Sequence, residues 1–502
     1  MMADAKREIE RKYEAAPDTR LPDLTGVRNV SAVVDGGVAE LDAVYYDTED
    51  LRLAAASLTL RRRTGGDDAG WHLKLPVAPG VRDELHAPLE DDVPDALARL
   101  VRARTRGAAL VPLVRLRSHR RVRRLVDAEG APLAEAVTDT VRAERIAGGH
   151  GGTVEWTEIE VELADGGDPA LLDAVHKRLR KKGLKPAGSA SKLARALTDT
   201  GWRPPEPPEE DGTAGGRVLA HLREQAGRLA TYDAAVRRDL PDAVHQMRVA
   251  TRRLRSAFRS YRKVLDRRVT DPLAQELKWL AGELGVDRDQ EVLTERLTAR
   301  VDALPVTLLL GPVRARLRAW AGAGRAEARA RTLAALDSDR YTALLDALDA
   351  LLADPPLRPA AAKAAGDVLP RAILKEHARL AARVERALAL PAGHDRDVAL
   401  HEARKTAKRV RYAAEVAQPA LGRPAKRFAK RVKAVQKALG EHQDSVVARD
   451  TLRELAIKAH AAGETAFTWG LLHGREEALA DRCERELPGL WERAVPGKPG
   501  RL

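Results

Sequence analysis

The chain has 502 residues, enough for two or more domains that each bury a core. Its formal net charge of +13 points to an anionic partner or surface, while 3% aromatic residues argues against a stacking platform for single-stranded nucleic acid. One cysteine, Cys483, excludes an internal disulfide and a cysteine-built zinc site, and no apolar run reaches the roughly 18 residues of a membrane span. The opening MMADAKREIERK lacks an apolar signal segment, so a soluble, cytoplasmic protein is expected.

Taken in chain order, the first part reads as strands, beginning with Glu8-Ile9-Glu10-Arg11-Lys12. Residues 38–47 alternate loosely, 56–63 and 71–75 follow as short strands around a Thr64-Gly-Gly-Asp-Asp turn, and 113–126 and 153–163 are two more. Helical spacing interrupts or closes this part at 94–104 and 168–182. On a strand, residues i, i+2 and i+4 share one face. The pairs Arg61 and Arg63, His72 and Lys74, and Arg115 and Arg117 therefore each lie on one side, as do the trios Glu8, Glu10, Lys12 and Glu158, Glu160, Glu162. A water-facing sheet shows such alternation too, with exposed cross-strand pairs worth under about 1 kcal/mol each. Faces rich in both signs suit the lining of a closed barrel instead, where they would bind a metal together with a polyanion.

Residues 203–216, Arg203-Pro-Pro-Glu-Pro-Pro-Glu-Glu-Asp-Gly-Thr-Ala-Gly-Gly, cannot pack as a helix or central strand and read as a linker. Beyond it nearly everything is Ala/Leu/Arg-rich with helical spacing, with breaks expected at Pro241, Pro272, Pro305, Pro355, Pro391 and Pro419. This region repeats itself about 155 residues further on. His245-Gln-Met-Arg248 through Arg255 matches His401-Glu-Ala-Arg404 through Arg411, and Leu284-Gly285 through Asp289 matches Leu439-Gly440 through Asp444. In the first copy His245, Arg248, Arg252, Arg255, Arg259 and Arg262 fall on one helix face, beside an apolar stripe of Leu254, Phe258, Tyr261 and Leu265. The second copy repeats the face with His401, Arg404, Lys408 and Arg411. A following helix adds Arg423, Lys426, Lys430, Lys433 and Lys437. Like charges at i, i+4 repel, so cations uninterrupted by acids need a polyanion to offset them. The plainer alternative is a solvated basic face, with His245 and His401 capping or hydrated.

The ordered set Glu8-x-Glu10-x-Lys12, Leu60-Arg61-x-Arg63, Lys74, Arg115-x-Arg117, Glu158-x-Glu160-x-Glu162 and Ser191-Lys192 resembles the CYTH, or triphosphate-tunnel, superfamily over roughly residues 4–200. Its members include triphosphatases, thiamine triphosphatases and one class of adenylate cyclase. The helical part resembles the CHAD domain, a conserved-histidine α-helical module, over roughly 217–495, with His245 and His401 at the starts of its basic helices. The resemblance implies an α+β multidomain chain. An eight-stranded antiparallel barrel would span 1–202, the linker 203–216, and a duplicated all-α bundle 217–502. It further implies Glu8, Glu10, Glu160 and Glu162 as ligands of Mg²⁺ or Mn²⁺, and Arg61, Arg63, Lys74, Arg115, Arg117 and Lys192 as phosphate clamps. Lys12, with Glu8 and Glu10, would stand at the reacting centre. Glu158 is either ligand or rim, Asp139 falls where the superfamily often has an inward carboxylate, and Arg121 and Arg123 continue the Arg115 face.

Two functions follow from different classes. One is a metal-dependent triphosphatase acting on inorganic triphosphate or a related linear triphosphate. Inorganic polyphosphate would then be bound by His245, Arg248, Arg252, Arg255, Arg259, His401, Arg404, Lys408, Arg411, Lys426, Lys430, Lys433 and Lys437. The alternative is a non-catalytic protein with a degenerate tunnel that docks on polyphosphate granules. A cyclase fits less well, because Asp4-Ala5-Lys6-Arg7 lacks the aromatic-containing prefix of cyclase members. No membrane partner is expected, and nucleic acid is disfavoured. No phosphate loop, dinucleotide fingerprint, HExxH or GxSxG elbow is present.

Overall fold

Long strands carrying charge on one face and apolar groups on the other need cover for both, and the first compact unit, Met1–Pro207, meets this by closing its sheet on itself. The computed structural model describes residues 4–147, 152–204, 206 and 211–495. The strands are β1 (Asp4–Ala15), β2 (Ala32–Asp47), β3 (Thr59–Thr64), β4 (Gly70–Ala78), β5 (Val81–Ala87), β6 (Val111–Val126), β7 (Pro132–Arg145) and β8 (Thr153–Leu163). Between them lie α1 (Arg52–Ala55) and α2 (Asp95–Thr105). After β8 come α3 (Pro169–Lys181), the two-residue β9 (Lys185–Pro186) and α4 (Lys192–Asp199).

The hydrogen-bonded order is β5-β4-β3-β2-β6-β7-β8-β1, and β5 also pairs with β1, which closes an eight-stranded antiparallel barrel. Strand β1 makes the closure by dividing its length: Asp4 to Ile9 pairs with β5, and Glu10 to Ala15 with β8. Strands β5 and β7 are absent from the expected elements. Charge falls at adjacent positions in Arg82-Asp83-Glu84, and β7 is rich in alanine, so neither shows a clean apolar alternation.

Two apolar clusters hold the barrel. Leu171, Leu172, Val175 and Leu179 of α3 pack with Tyr13, Ile159 and Val161. Leu193, Ala196 and Leu197 of α4 pack with Tyr45, Val114, Leu116, Val141 and Trp156. Each helix carries its apolar residues at i, i+3, i+4 spacing, so one stripe is buried and the charged side stays wet.

The second unit, Pro208–Leu502, is built of helices among its described residues, joined by turns and two isolated β-bridges. Its α-helices are α5 (Ala214–Arg237), α6 (Ala243–Ser260), α7 (Arg267–Asp302), α8 (Val313–Asp337), α9 (Asp339–Ala353), α10 (Ala365–Ala389), α11 (His394–Leu421), α12 (Arg423–Ala461) and α13 (Phe467–Ala494). The boundary falls inside 203–216, and α5 starts there, with the Thr213 hydroxyl accepting from Gly216 N at 3.0 Å. Two expected breaks are corrected. Pro272 lies in the early turns of α7 and Pro419 near the end of α11, and both helices continue through them. A proline near a helix end removes a bond that is partly frayed already, so it costs less there than mid-helix.

Helices α6 and α11 are joined where the buried Tyr261 hydroxyl donates to Ala413 O at 2.6 Å. Helices α7, α12 and α13 share a core of Leu297, Val301, Leu452, Leu455, Trp469 and Leu472. No helix among the described residues is long and apolar enough to cross a membrane.

Candidate functional site

Residues directly opposite in adjacent strands point to the same face, so the barrel's pairing decides what lies inside. Glu8 faces Arg82, Glu10 faces Glu162, Lys12 faces Glu160, and Lys74 faces Glu84. These residues line a cavity of about 890 Å³ with Tyr45, Arg61, Arg63, His72, Arg120 and Lys192.

Glu160 also lines the cavity, and its oxygens and those of Asp139 and Glu158 lie within 4.8 Å of one another, all three residues buried. Lys192 reaches Asp139, Glu158 and Glu160 at 2.9, 2.8 and 2.6 Å respectively. It is delivered by the first turn of α4, where Ser191 Oγ accepts from Ala194 N. Burial works against the Lys192 charge, but Asp139, Glu160 and Glu158 hold its pKa well above the ordinary value. Burial likewise would raise Glu160, yet Lys12, Lys192 and Arg120 hold it well below the usual carboxylate range. Asp139 is held low in the same way by Lys192 and Arg120, against its burial. Glu158 goes up, because burial outweighs Lys192. Its second oxygen accepts from Trp156 Nε1 at 2.7 Å.

Across the cavity, Lys74 Nζ lies 2.6 Å from Glu8 and 3.5 Å from Glu84. Burial pushes Glu8 up to about 7 against the pull of Lys74. Glu10 lies 3.2 Å from Lys12 and 3.4 Å from Arg82; burial alone would raise it, but the cations, Lys12 foremost, keep it below its ordinary value. Lys12 also pairs with Glu160. Glu84 is shared by His72 Nδ1 at 2.9 Å and Arg61 at 3.5 Å. Burial lowers His72 to about 4, so it stands neutral. Burial and the nearby Arg61 and Arg120 bring Arg63 down to about 9, and its guanidinium contacts Asp68 in the β3–β4 turn.

Arg115 and Arg117 require correction as tunnel residues. Both lie on the outer face, with side chains 40% and 57% exposed, and share Asp42. Val114, Leu116, Ser118 and Arg120 are the inward set of β6, because Val114 pairs with Tyr45 and Leu116 with Ala43. Alternation identified two faces of this arginine-rich strand but could not say which was inside. Arg120 takes the inward place, 2.7 Å from Asp139 and 3.4 Å from Glu160. Arg121 and Arg123 share the outward parity, and Arg123 pairs with Asp35. Glu162 lines the cavity but is 31% exposed and paired with Lys6. Arg82 and Glu84 are missed altogether with β5. Asp139, Glu158 and Glu160 bring hard carboxylate oxygens close enough together to hold a divalent ion, around the place where Lys192 Nζ contacts all three.

In the helical unit, His245, Arg248, Arg252 and Arg255 of α6 are half-buried, as are His401, Arg404, Lys408 and Arg411 of α11, while Arg259 is exposed. A merely solvated face would be exposed throughout, with each cation fully hydrated. Arg252, Arg255, Arg259 and Lys408 have no ion pair among the described residues. Burial, then Arg404 and Arg252, bring Lys408 down to about 7, with Arg248 adding to the effect and Asp444 opposing it. Burial also lowers Arg252, with Arg248 and Arg404 among its neighbours, so the two repeat copies converge on one cationic centre. Arg411 pairs with Glu415 at 3.2 Å and lies over the Tyr412 ring. Lys426, Lys430, Lys433 and Lys437 are exposed along one stripe of α12 that continues to Gly440 and Asp444. The corresponding positions on α7, Asp271, Gln275, Lys278 and Gly282, do not repeat that row. His401 lies two turns inside α11 rather than at its start, which corrects its place on the helix.

The family model of the CYTH domain matches residues 6–197, and that of the CHAD domain matches 220–453. Two uncharacterized proteins of Mycobacterium tuberculosis, MT2285 and Rv2226, are each 41% identical over 499 residues, covering 96% of this chain and 94% of theirs. Among solved structures, PptA from Streptomyces chartreusis is 24% identical with a TM-score of 0.47, over 56% of this chain and 99% of that one. The CHAD domain from the plant Ricinus communis is 26% identical with a TM-score of 0.46, over 58% of this chain and 94% of that one. With a closed charged barrel, a helical repeat, both family matches and relatives aligned almost end to end, the chain belongs to the family of proteins that join a CYTH domain to a CHAD domain.

Proposed function

We propose that the barrel hydrolyses a phosphoanhydride bond of inorganic triphosphate or a related linear triphosphate, and that the cationic face of the helical unit binds inorganic polyphosphate. The observation that carries the first half is the buried meeting of Asp139, Glu158 and Glu160 with Lys12, Lys192 and Arg120, of which Glu160 and the three cations line the barrel's cavity. Three carboxylates buried together are more than the orienting of cations for an anion requires, whereas a divalent ion would use their oxygens as ligands.

Glu8, Glu10, Glu160 and Glu162 are the ligand set expected from the family resemblance, and the convergence of Asp139 and Glu158 on Glu160 supports adding these two. A divalent ion, when bound, supplies a polarised water of lowered pKa. Arg61, Arg63, Lys74, Arg82, Arg120 and Lys192 bind the non-bridging oxygens and stabilise the charge that spreads over them as the bridging bond loosens. The water oxygen joins the terminal phosphorus and releases a proton, the bridging P–O bond breaks, and diphosphate leaves with the electron pair and takes up a proton. Lys12, between Glu10 and Glu160, holds a proton beside the reacting oxygens. Arg115 and Arg117 take no part.

The test is phosphate release from triphosphate, pyrophosphate, ATP, thiamine triphosphate and long-chain polyphosphate, with Mg²⁺, with Mn²⁺ and with chelator. Release from triphosphate that chelator abolishes is expected. Polyphosphate binding without release under any metal would favour the docking alternative.

A pH dependence follows for the helical face. A bound polyanion raises the Lys408 pKa from its free value of about 7, so binding takes up a proton above that pH. Polyphosphate affinity is therefore expected to be level below about pH 7 and to fall as pH rises beyond it. Lys408→Arg, which keeps its charge, should flatten that slope in a calorimetric titration across buffers of different ionisation enthalpy.

A further inference from the structure

The repeated Leu-Gly segment places a glycine of one helix directly under an arginine of the preceding one, in both copies. A Cβ on Gly285 of α7 would stand 3.4 Å from Nη2 and 3.7 Å from Cζ of Arg248 on α6. A Cβ on Gly440 of α12 would stand 3.4 Å from Nη2, 3.5 Å from Nε and 3.8 Å from Cζ of Arg404 on α11. Both guanidinium groups thus rest on helix backbone, where a methyl would just touch them and any longer side chain would take their place. An acid one turn on completes each arrangement. Arg248 Nη1 donates to Asp289 Oδ1 at 2.9 Å and to Gly285 O at 3.3 Å, and Arg404 Nη2 lies 3.4 Å from Asp444 Oδ1.

The acids engage different nitrogens, Nη1 of Arg248 and Nη2 of Arg404, but one donor is left over in both copies. The Nε–H of Arg248 and that of Arg404 are buried and have no hydrogen-bond partner among the described residues. A buried donor without an acceptor is costly, and the Nε edge of a guanidinium matches the paired oxygens of a phosphate. Both arginines are electrostatic neighbours of Arg252 and Lys408, at the centre of the cationic face. Glycine in the middle of a helix weakens it relative to alanine, so the two glycines carry a local cost that the close approach explains.

We propose that Gly285 with Asp289, and Gly440 with Asp444, are positioning residues that cradle Arg248 and Arg404 so that each presents its Nε edge to one phosphate of a linear polyphosphate. This rests on the polyphosphate reading of the helical face. The acids then act through the arginines they orient, and their own repulsion of the polyanion is the smaller effect.

The test uses the full chain with chelator present and long-chain sodium polyphosphate as probe. The Asp289→Ala and Asp444→Ala pair is expected to weaken binding about tenfold, although it removes two negative charges from a polyanion site. The Asn pair, which keeps an acceptor for the guanidinium, should restore most of the affinity. Gly285→Ala with Gly440→Ala should raise the melting temperature, because the added methyl only reaches van der Waals contact with the arginines. The Met pair, also a better helix former than glycine, should weaken binding by displacing both arginines. Tighter binding by the Asp→Ala pair, or full binding by the Gly→Met pair, overturns the proposal. Arg248→Ala with Arg404→Ala separates the two levels: loss of binding there, with the acids and glycines indifferent, sinks only the cradles. Full binding by the arginine pair sinks the assignment of these arginines to the polyphosphate face, and the cradles with it.

Discussion

In a Glu10→Gln variant, metal-dependent phosphate release from inorganic triphosphate is expected to fall by about two orders of magnitude or more, the scale of a lost catalytic metal-site charge. Glu10 is buried, with Lys12 and Arg82 at 3.2 and 3.4 Å, and Lys12 foremost keeps it ionised against its burial. Glutamine keeps the volume and one acceptor while deleting the charge. The cations it leaves are not stranded, because Lys12 retains Glu160 and Arg82 retains the Ala190 carbonyl. The fold should therefore persist, with a stability loss of about 1–3 kcal/mol as one charged partner leaves a buried network. Circular dichroism and thermal melting check the fold, and a rate series over metal concentration checks the chemistry. An unchanged rate in the folded, metal-saturated variant would sink the enzymatic reading.

The second large effect is on polyphosphate binding. Replacing Arg248, Arg252, Arg255, Arg404, Lys408 and Arg411 by alanine should abolish measurable affinity of the full chain for long-chain polyphosphate in chelator. Changing only the first three should weaken it part of the way, because the two repeat copies supply halves of one surface. A linear polyanion lying along these rows releases condensed counterions, so wild-type affinity should fall steeply with salt. By analogy with single-stranded nucleic acid, each lost contact reduces that slope by about 0.7. The apolar side of α6, Leu254, Phe258 and Tyr261, is buried and untouched, so helicity should persist. Equal affinity for polyphosphate and for duplex DNA of matched charge would mark indiscriminate basic attraction. Full-strength binding by the six-fold variant would move the polyanion site elsewhere.

Much of the barrel was legible because a strand's period is two. Once Glu8, Glu10 and Lys12 alternate, they must share a face, and the same holds for Glu158, Glu160 and Glu162. Ser191-Lys192 entered only through the family resemblance, and the helix α4 that Ser191 caps was not among the expected elements. The helical repeat was legible for a reason similar to that of the strands, since residues 245–255 and 401–411 align without a gap and keep the histidine and the basic positions in step. The two-part division needed only the Pro- and Gly-rich stretch between strand-like and helix-like spacing.

Which of two faces points inward is a different kind of fact. In β6 the residues Arg115, Arg117 and Arg120 all occur within a few positions, and charge alone favours the first two. Pairing of Val114 with Tyr45 and of Leu116 with Ala43 decided otherwise, turning Arg120 inside to meet Asp139 and leaving Arg115 and Arg117 outside with Asp42. A one-residue change of parity flips every side chain, so an alternating strand read alone has two equally good answers.

Local chemistry, which depends on neighbours along the chain, was therefore determined by the sequence: the shared faces, the repeat, and the types of charge each element carries. Convergence was decided only by the tertiary structure. Asp139, Glu158 and Glu160 come from β7 and β8, Lys192 from α4, and Arg120 from β6, and strand pairing with the packing of α4 puts their charges within a few ångströms. The resting of Arg248 on Gly285 and of Arg404 on Gly440 is likewise a meeting of separate helices. Charges distant in sequence interact strongly only after burial removes the water between them, and that step belongs to the folded chain.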